Sequence, residues 1–242
     1  MIRVAVFGQP FTFKKECAIF SNEKIDWRNK EMNWGQLKSM TINEWIKNII
    51  LYAIGVGIMP LGVVLTVNAH LGAGGYDALN FAVADTLGIQ TSYAIYLTAF
   101  VFLILAATVR RSFPRIETFI SSFFLGLSTD FWQGVLENVE GKNLKNAVIL
   151  LMLGMVVIAF AIACYMISVF PTNPTDDLIV ALQERGVRIR VAKTTMDVVC
   201  VVLAFLLGGE IGVGSIICTV GLGVIIDMFH KNISKILKIE SE

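Results

Sequence analysis

Four aspartates stand where an otherwise apolar chain has little use for charge. Asp77 lies in "LTVNAHLGAGGYDALN" (65–80), just behind the glycines Gly74 and Gly75, and Asp176 lies in "SVFPTNPTDDLIV" (168–180), behind Pro171 and Pro174. Asp130 and Asp227 each close a row of small residues, Thr118, Ser122, Gly126 and Asp130 in one segment and Ser215, Thr219, Gly223 and Asp227 in another. Successive members of a row are four residues apart, which puts them on one face of a helix. A carboxylate in an apolar segment is costly unless it lines a polar cavity, meets a partner or takes a proton, so such residues mark solute and ion paths. The chemistry this suggests is the binding and passage of a small solute or ion.

Each residue also has a structural reading. Asp77 and Asp176 suit the starts of short helices, where a carboxylate caps orphan N–H groups and meets the positive end of the dipole. Small residues every fourth position allow close helix approach, the default in membrane helices. Asp227 has Lys231 four residues on as a partner, whereas Asp130 has no base at that spacing and needs another helix, water or a proton. Asp197 lies one turn from Lys193 and near Arg190, which suits charge compensation at a helix end. Asp177, Asn173 and Thr172 add polar groups to the second short segment, and Asn68 and His70 close the run before the first.

Enzymatic patterns are missing from this sequence. His70 and His230 are the two histidines, and Cys17, Cys164, Cys200 and Cys218 lack metal-ligand spacing. The glycine cluster 208–214 has no following Gly-Lys-Ser/Thr for a phosphate loop. No basic stripe interleaved with aromatics suggests nucleic acid. The expectation is a non-enzyme with no cofactor and no metal, whose partners are the lipid bilayer and an unknown small solute; self-association is compatible with it.

The elements that must hold these residues follow from hydropathy. The chain is 55% hydrophobic and 16% charged, with mean hydropathy +0.70, beyond what a soluble domain of this size needs. Thr41-Ile-Asn-Glu44 matches a capping box ahead of an apolar run. Six spans are expected: Ile46–Val67, with a kink at Pro60, then Thr91–Val109, Ile116–Leu136, Ala147–Phe170, Val191–Leu207 and Ser215–Met228. All lysines and arginines except Lys142 and Lys145 then fall on one side, which puts both termini in the cytoplasm. Residues 76–88 and 175–186 are too short to span and read as re-entrant or interfacial helices. Residues 1–40 read as a weakly ordered cytosolic tail, which a start at Met32 or Met40 would largely remove, and residues 232–242 as a second tail.

The two small-residue rows are 97 residues apart, member by member, and "GYDAL" (75–79) aligns with "PTDDL" (174–178) at an offset of 99. These offsets define a repeat over 41–140 and another over 141–231, each with a long span, a short segment and two more spans. Three spans per copy invert the second copy in the bilayer, the architecture of many secondary transporters, in which short interrupted segments at corresponding places mark the site.

On "LGAGGYDAL", "RGVRIRVAKTTMD", "GGEIGVGS" and "GLGVIIDMF", residues 48–231 resemble the YitT/YczE group of bacterial integral membrane proteins. The chain has Gly74-Gly75-Tyr76-Asp77 where the group tends to read Gly-Pro-Trp-Asp, and Arg115-Ile116-Glu117-Thr118 where the group tends to have glycines. The resemblance implies an all-helical multi-pass protein of the bacterial plasma membrane and names no substrate. The functional expectation is a small-solute transporter, with Asp77, Asp176, Asp130, Asp227, Asn68, Gly74 and Gly75 along the path and Asp177 and Asp197 beside it. The alternatives are a non-transporting accessory or scaffold protein and, less well supported by the motifs, a membrane enzyme.

Overall fold

The computed structural model describes residues 40–187 and 189–236. Within them all regular structure is helical: α1 (Ile42–Val67), α2 (Gly75–Leu87), α3 (Thr91–Arg110), α4 (Ile116–Val135), α5 (Leu144–Ile167), α6 (Pro174–Glu184), α7 (Ile189–Leu206) and α8 (Val213–Ile236). Four of these, α1, α3, α5 and α8, are long and apolar enough to cross a membrane. Helices α4 and α7, of 20 and 18 residues, fall on the other two expected spans. The short helices α2 and α6 have 13 and 11 residues. At 1.5 Å per residue they reach roughly 20 Å and 16 Å, well short of a hydrocarbon core of about 30 Å.

The capping box forms as expected. The Thr41 backbone N–H donates to Glu44 Oε2 at 2.8 Å, while the Thr41 hydroxyl accepts from the Glu44 N–H. Pro60 sits inside α1. At the other end of the chain α8 runs on to Ile236, so the expected tail begins as helix over residues 232–236. The tail expected over residues 1–40 lies outside the described residues except for Met40.

Helices α1 and α5 form the centre. They cross closely because glycines face each other: a Cβ on Gly154 would lie 2.7 Å from the Gly62 carbonyl oxygen, and one on Gly62 2.7 Å from that of Gly154. Close approach at small residues is how helices associate where no water drives them together. Helix α4 packs on α1 and α8 on α5, while the short helices cross over, α2 packing on α7 and α6 on α3. Large apolar side chains such as Phe100, Phe131, Val202 and Val220 stay exposed on the outer faces. A bilayer would cover them.

Backbone contacts define the two ends of the bundle. At one, the Gly141 N–H donates to the Asn68 carbonyl, the Gly214 N–H to the Leu71 carbonyl, and the Thr86 hydroxyl to the Leu207 carbonyl. At the other, the Val169 N–H donates to Asn48 Oδ1, and Arg185 Nε to the Val109 carbonyl. Helix α2 finishes at the first end and α6 at the second, and each begins in the interior.

Candidate functional site

Helix α2 begins against the middle of α7. A Cβ on Gly75 would lie 2.7 Å from the Asp197 carbonyl oxygen, a distance real side chains do not tolerate, so only glycine lets the backbones meet there. The residues expected to cap do not. The N-cap of α2 is Gly74, with no side-chain cap, and Asp77 stands three positions into the helix. The N-cap of α6 is Asn173, again without a side-chain cap, and Asp176 occupies the same third position. Neither aspartate is the N-cap residue, but both stand in the first turn, where the helix dipole favours a carboxylate as expected.

Asp176 accepts a hydrogen bond from the Tyr165 hydroxyl of α5. Asp77 makes no hydrogen bond or ion pair among the described residues. It lines a cavity of about 20 Å³ whose other polar side chains are Tyr76, Asn80, Thr129 and Asn173 and whose remaining walls, Met59, Pro60, Val63, Phe81, Ile95 and Leu125, are apolar. The cavity draws walls from α1, α2, α3, α4 and the residue that opens α6, so the starts of both short helices reach it. A void needs about 10–15 Å³ to take a water. This one therefore has room for about one water and for nothing of metabolite size.

Two carboxamides complete the lining, and both are almost fully buried. Asn80 Oδ1 accepts from the Thr98 hydroxyl at 2.5 Å, and Asn173 Oδ1 accepts from Ser122 at 3.0 Å. Sequence reading does not single out Asn80. Its signal was its place three residues after Asp77 on one face of a short helix. The small-residue row of α4 serves packing as well as the site, since Gly126 abuts the Tyr96 ring.

Lys193 connects the two halves. Its ammonium lies 3.2 Å from Asp197 Oδ1 on the next turn of α7, and Asp176 and Asp77 also act on its charge. The expected pairing of Asp197 with Lys193 is therefore present; the Arg190 side chain lies outside the described residues, as do those of Asp227 and Lys231.

Other expected residues take structural work. Asp130 finds its partner on another helix, where Oδ1 accepts from the Ser92 N–H at 3.0 Å in the first turn of α3. Asn68 donates to the Leu136 and Val139 carbonyls, at 3.1 and 2.9 Å, and is not part of the cavity lining. His70 pairs with Glu210 at 2.8 Å on the surface.

A buried charge cluster at the second end of the bundle escaped the sequence reading. Asp177 receives Arg110 through two nitrogens at 2.8 and 3.1 Å and Arg115 at 3.1 Å. Glu184, about two turns further along α6, takes Arg110 Nε at 3.0 Å. The cluster ties α6 to the end of α3 and the start of α4. Among the described residues no group of three or more histidines, cysteines, aspartates or glutamates is placed to hold a metal.

Fold and site define a helical membrane protein with a small cavity inside the bundle, where Asp77 stands among mostly apolar walls. The chain belongs to the family of unknown function DUF6198, which it matches over residues 46–231. It is 28% identical over 180 residues to the uncharacterized protein YyaS of Bacillus subtilis, covering 74% of this chain and 90% of that one. It is 23% identical over 177 residues to the uncharacterized membrane protein YczE of the same organism, covering 72% and 81%. An uncharacterized protein of Haemophilus influenzae is 22% identical over 218 residues, covering 87% and 94%. These relatives bear out the resemblance to the YczE group. No solved structure matches the chain.

Proposed function

We propose that this protein is a multi-pass transporter of a small solute in the bacterial plasma membrane. The reading has six spans, both termini in the cytoplasm, and two inverted repeats over 41–140 and 141–231. One observation carries it: two short helices enter the bundle from opposite ends, begin at one small cavity lined by Asp77, Asn80 and Asn173, and each packs on a long helix of the other half. The pattern of helix neighbours supports the repeat, because exchanging α1 with α5, α2 with α6, α3 with α7 and α4 with α8 maps most of the packed pairs onto one another. The wide basic loops at one end support the orientation.

In this reading α2 and α6 are moving parts around a fixed centre made by α1 and α5. The cavity is too small for a solute, so the described conformation is occluded, and passage requires one short helix to leave its neighbours. The α6 end is held by the Asp177 cluster, while the α2 end is held by the Thr86 bond to Leu207, with the exposed His70–Glu210 pair beside it. Opening at the α2 end is therefore the less costly movement.

The test is solute flux. Purified protein in proteoliposomes should exchange at least one member of a panel of radiolabelled metabolites, and Asp77→Asn should lower the rate ten-fold or more with Asp130→Asn as a control for structural damage. A protein that binds a panel member and never moves it across the bilayer has the accessory role instead.

A further inference from the structure

We infer that the exposed face of α8 is a docking surface for α7 of the same chain, which closes onto it and carries α2 along. The inference deepens the transporter reading, because it names the movement that opens the α2 end, and it rests on the repeat within that reading. The exchange of halves fails at one helix. In the first half α4 packs on α3 and touches α6. Its counterpart α8 is not packed on α7 or α2 among the described residues.

The seam between α3 and α4 shows what the other half lacks. A Cβ on Gly126 would lie 2.5 Å from the Tyr96 ring, which stacks on Phe123 at 5.6 Å, and the Tyr96 hydroxyl donates to the Phe123 carbonyl at 3.1 Å. At the offset of 97 residues Gly126 becomes Gly223 and Phe123 becomes Val220. Gly223 has open space where a Cβ would point, and Val220 is exposed. Ser122 and Gly126 are buried, while Thr219 and Gly223 in the same places are exposed. Helix α7 keeps its own register with α3: Ala94, Phe102 and Ala106 are buried, and so are Ala192, Cys200 and Ala204, each 98 residues on. Thr194 therefore stands where Tyr96 stands, and its smaller side chain lets the backbones approach. Small residues facing one another are how helices meet in a membrane, and the outer face of α4 carries Ile120, Phe124, Leu127 and Phe131 instead. The covering helix for the Thr219–Gly223 face is named by the half in which the same row is already covered.

The contacts divide the chain for this movement. Helices α2 and α7 form one body: a Cβ on Gly75 would lie 2.7 Å from the Asp197 carbonyl oxygen, one on Gly209 2.7 Å from the Ala82 Cβ, and the Thr86 hydroxyl donates to the Leu207 carbonyl at 3.1 Å. Helix α8 belongs to the centre: the Gly214 N–H donates to the Leu71 carbonyl at 2.7 Å, and a Cβ on Gly221 would lie 2.8 Å from Met155 of α5. Two short connectors join these bodies, residues 73–74 and residues 210–211. The first follows Gly72, whose φ of +98° favours glycine, and the second makes no backbone hydrogen bond among the described residues. Closing α7 on α8 draws α2 away from α3 and gives up the bond from Thr98 to Asn80 at 2.5 Å, while α6 keeps its ion pairs.

The experiment is thiol cross-linking of the full-length protein in membranes with a short bifunctional methanethiosulfonate. Tyr96→Cys with Gly126→Cys is the control for a closed seam. Thr194→Cys with Gly223→Cys should also link within one chain, read as loss of both introduced thiols in a band of monomer mass. The single variants set the background from the native cysteines. If that pair does not fold, Thr194→Cys with Val220→Cys, the counterpart of the Tyr96–Phe123 stack, takes its place. Links between two chains would make the α8 face a contact with a second copy and overturn the inference. No link where the control pair links would leave the face to lipid and overturn it as well. Closure without solute flux removes the transporter reading and leaves the docking surface standing; flux without closure does the reverse.

Discussion

Replacing Asp177 with asparagine removes a charge and almost no volume from the end of the bundle where α6 meets α3 and α4. The carboxylate is 3% exposed and accepts from two guanidiniums, themselves 10% and 18% exposed. Taking one partner from a buried ion pair costs about 3–5 kcal/mol, chiefly because the remaining charge stays buried. Two features reduce that here. Arg110 keeps Glu184 at 3.0 Å, and the new carboxamide oxygen can still accept. The expected loss is therefore about 2–3 kcal/mol, which for a chain of this length lowers the melting temperature by about 4–12 °C. Glu184 is 31% exposed, so Glu184→Gln belongs to the surface class and should cost about 1 kcal/mol or less, shrinking further in high salt. The assay is thermal unfolding of the two detergent-purified variants beside the parent, at low and high salt. An Asp177→Asn protein that melts with the parent, or a Glu184→Gln protein that loses more, would show that the cluster does not hold α6 in place.

The α1–α5 crossing makes a second pair of predictions. Gly154→Leu must force apart backbones already in contact, and overpacking of that kind costs about 1–3 kcal/mol or more, visible as poor expression and loss of a monodisperse peak on size exclusion. Gly57→Ala on α1 meets nothing within 4 Å and should be neutral or gain up to about 1 kcal/mol through helix propensity, read from its melting temperature. Asp130→Ala removes the cap on the first turn of α3 and should cost about 1 kcal/mol, with Asp130→Asn costing less because an acceptor oxygen remains. If Asp130 serves only this cap, Asp130→Asn leaves flux intact. Asn68→Ala should destabilise by about 1–2 kcal/mol through two lost hydrogen bonds to the 136–139 loop, read from its melting temperature.

Most of the helical scaffold can be read from the residues in order. Long apolar runs, the Thr41–Glu44 box and the glycines before Tyr76 set where helices begin and end, because each of those signals acts within a turn or two of itself. Helix α2 begins one residue before the expected segment and α6 likewise. The internal repeat points to both short helices for the same reason: it compares local patterns with one another. Polar pairing is another matter. Asp177 meets Arg110 and Arg115 across 67 and 62 residues, and Asp130 meets Ser92 across 38. Charge placement alone makes Arg110 and Arg115 topology markers, and nothing in their own segment reveals a buried carboxylate opposite. Asp77 stands out in the sequence because it is charged and follows glycines. Asn80 does not, since an asparagine in an apolar helix gains meaning only once Thr98 and the cavity are seen beside it. Asn68 shows the opposite error: its position before the glycines suggests the path, yet its amide is consumed by two carbonyls of a neighbouring loop.

The central claim is that α2 and α6 enter the membrane from opposite faces to meet at one cavity, and single cysteines read by an impermeant thiol reagent test it directly. In intact cells, with Cys17 removed and the buried Cys164, Cys200 and Cys218 as background, cysteines at Asp85 beyond the cavity on α2 and at Lys142 should label from outside. Those at Ser112 and Arg185, beside the end of α6, should label only after the membrane is opened. Labelling of Asp85 and Arg185 from the same face would contradict the account.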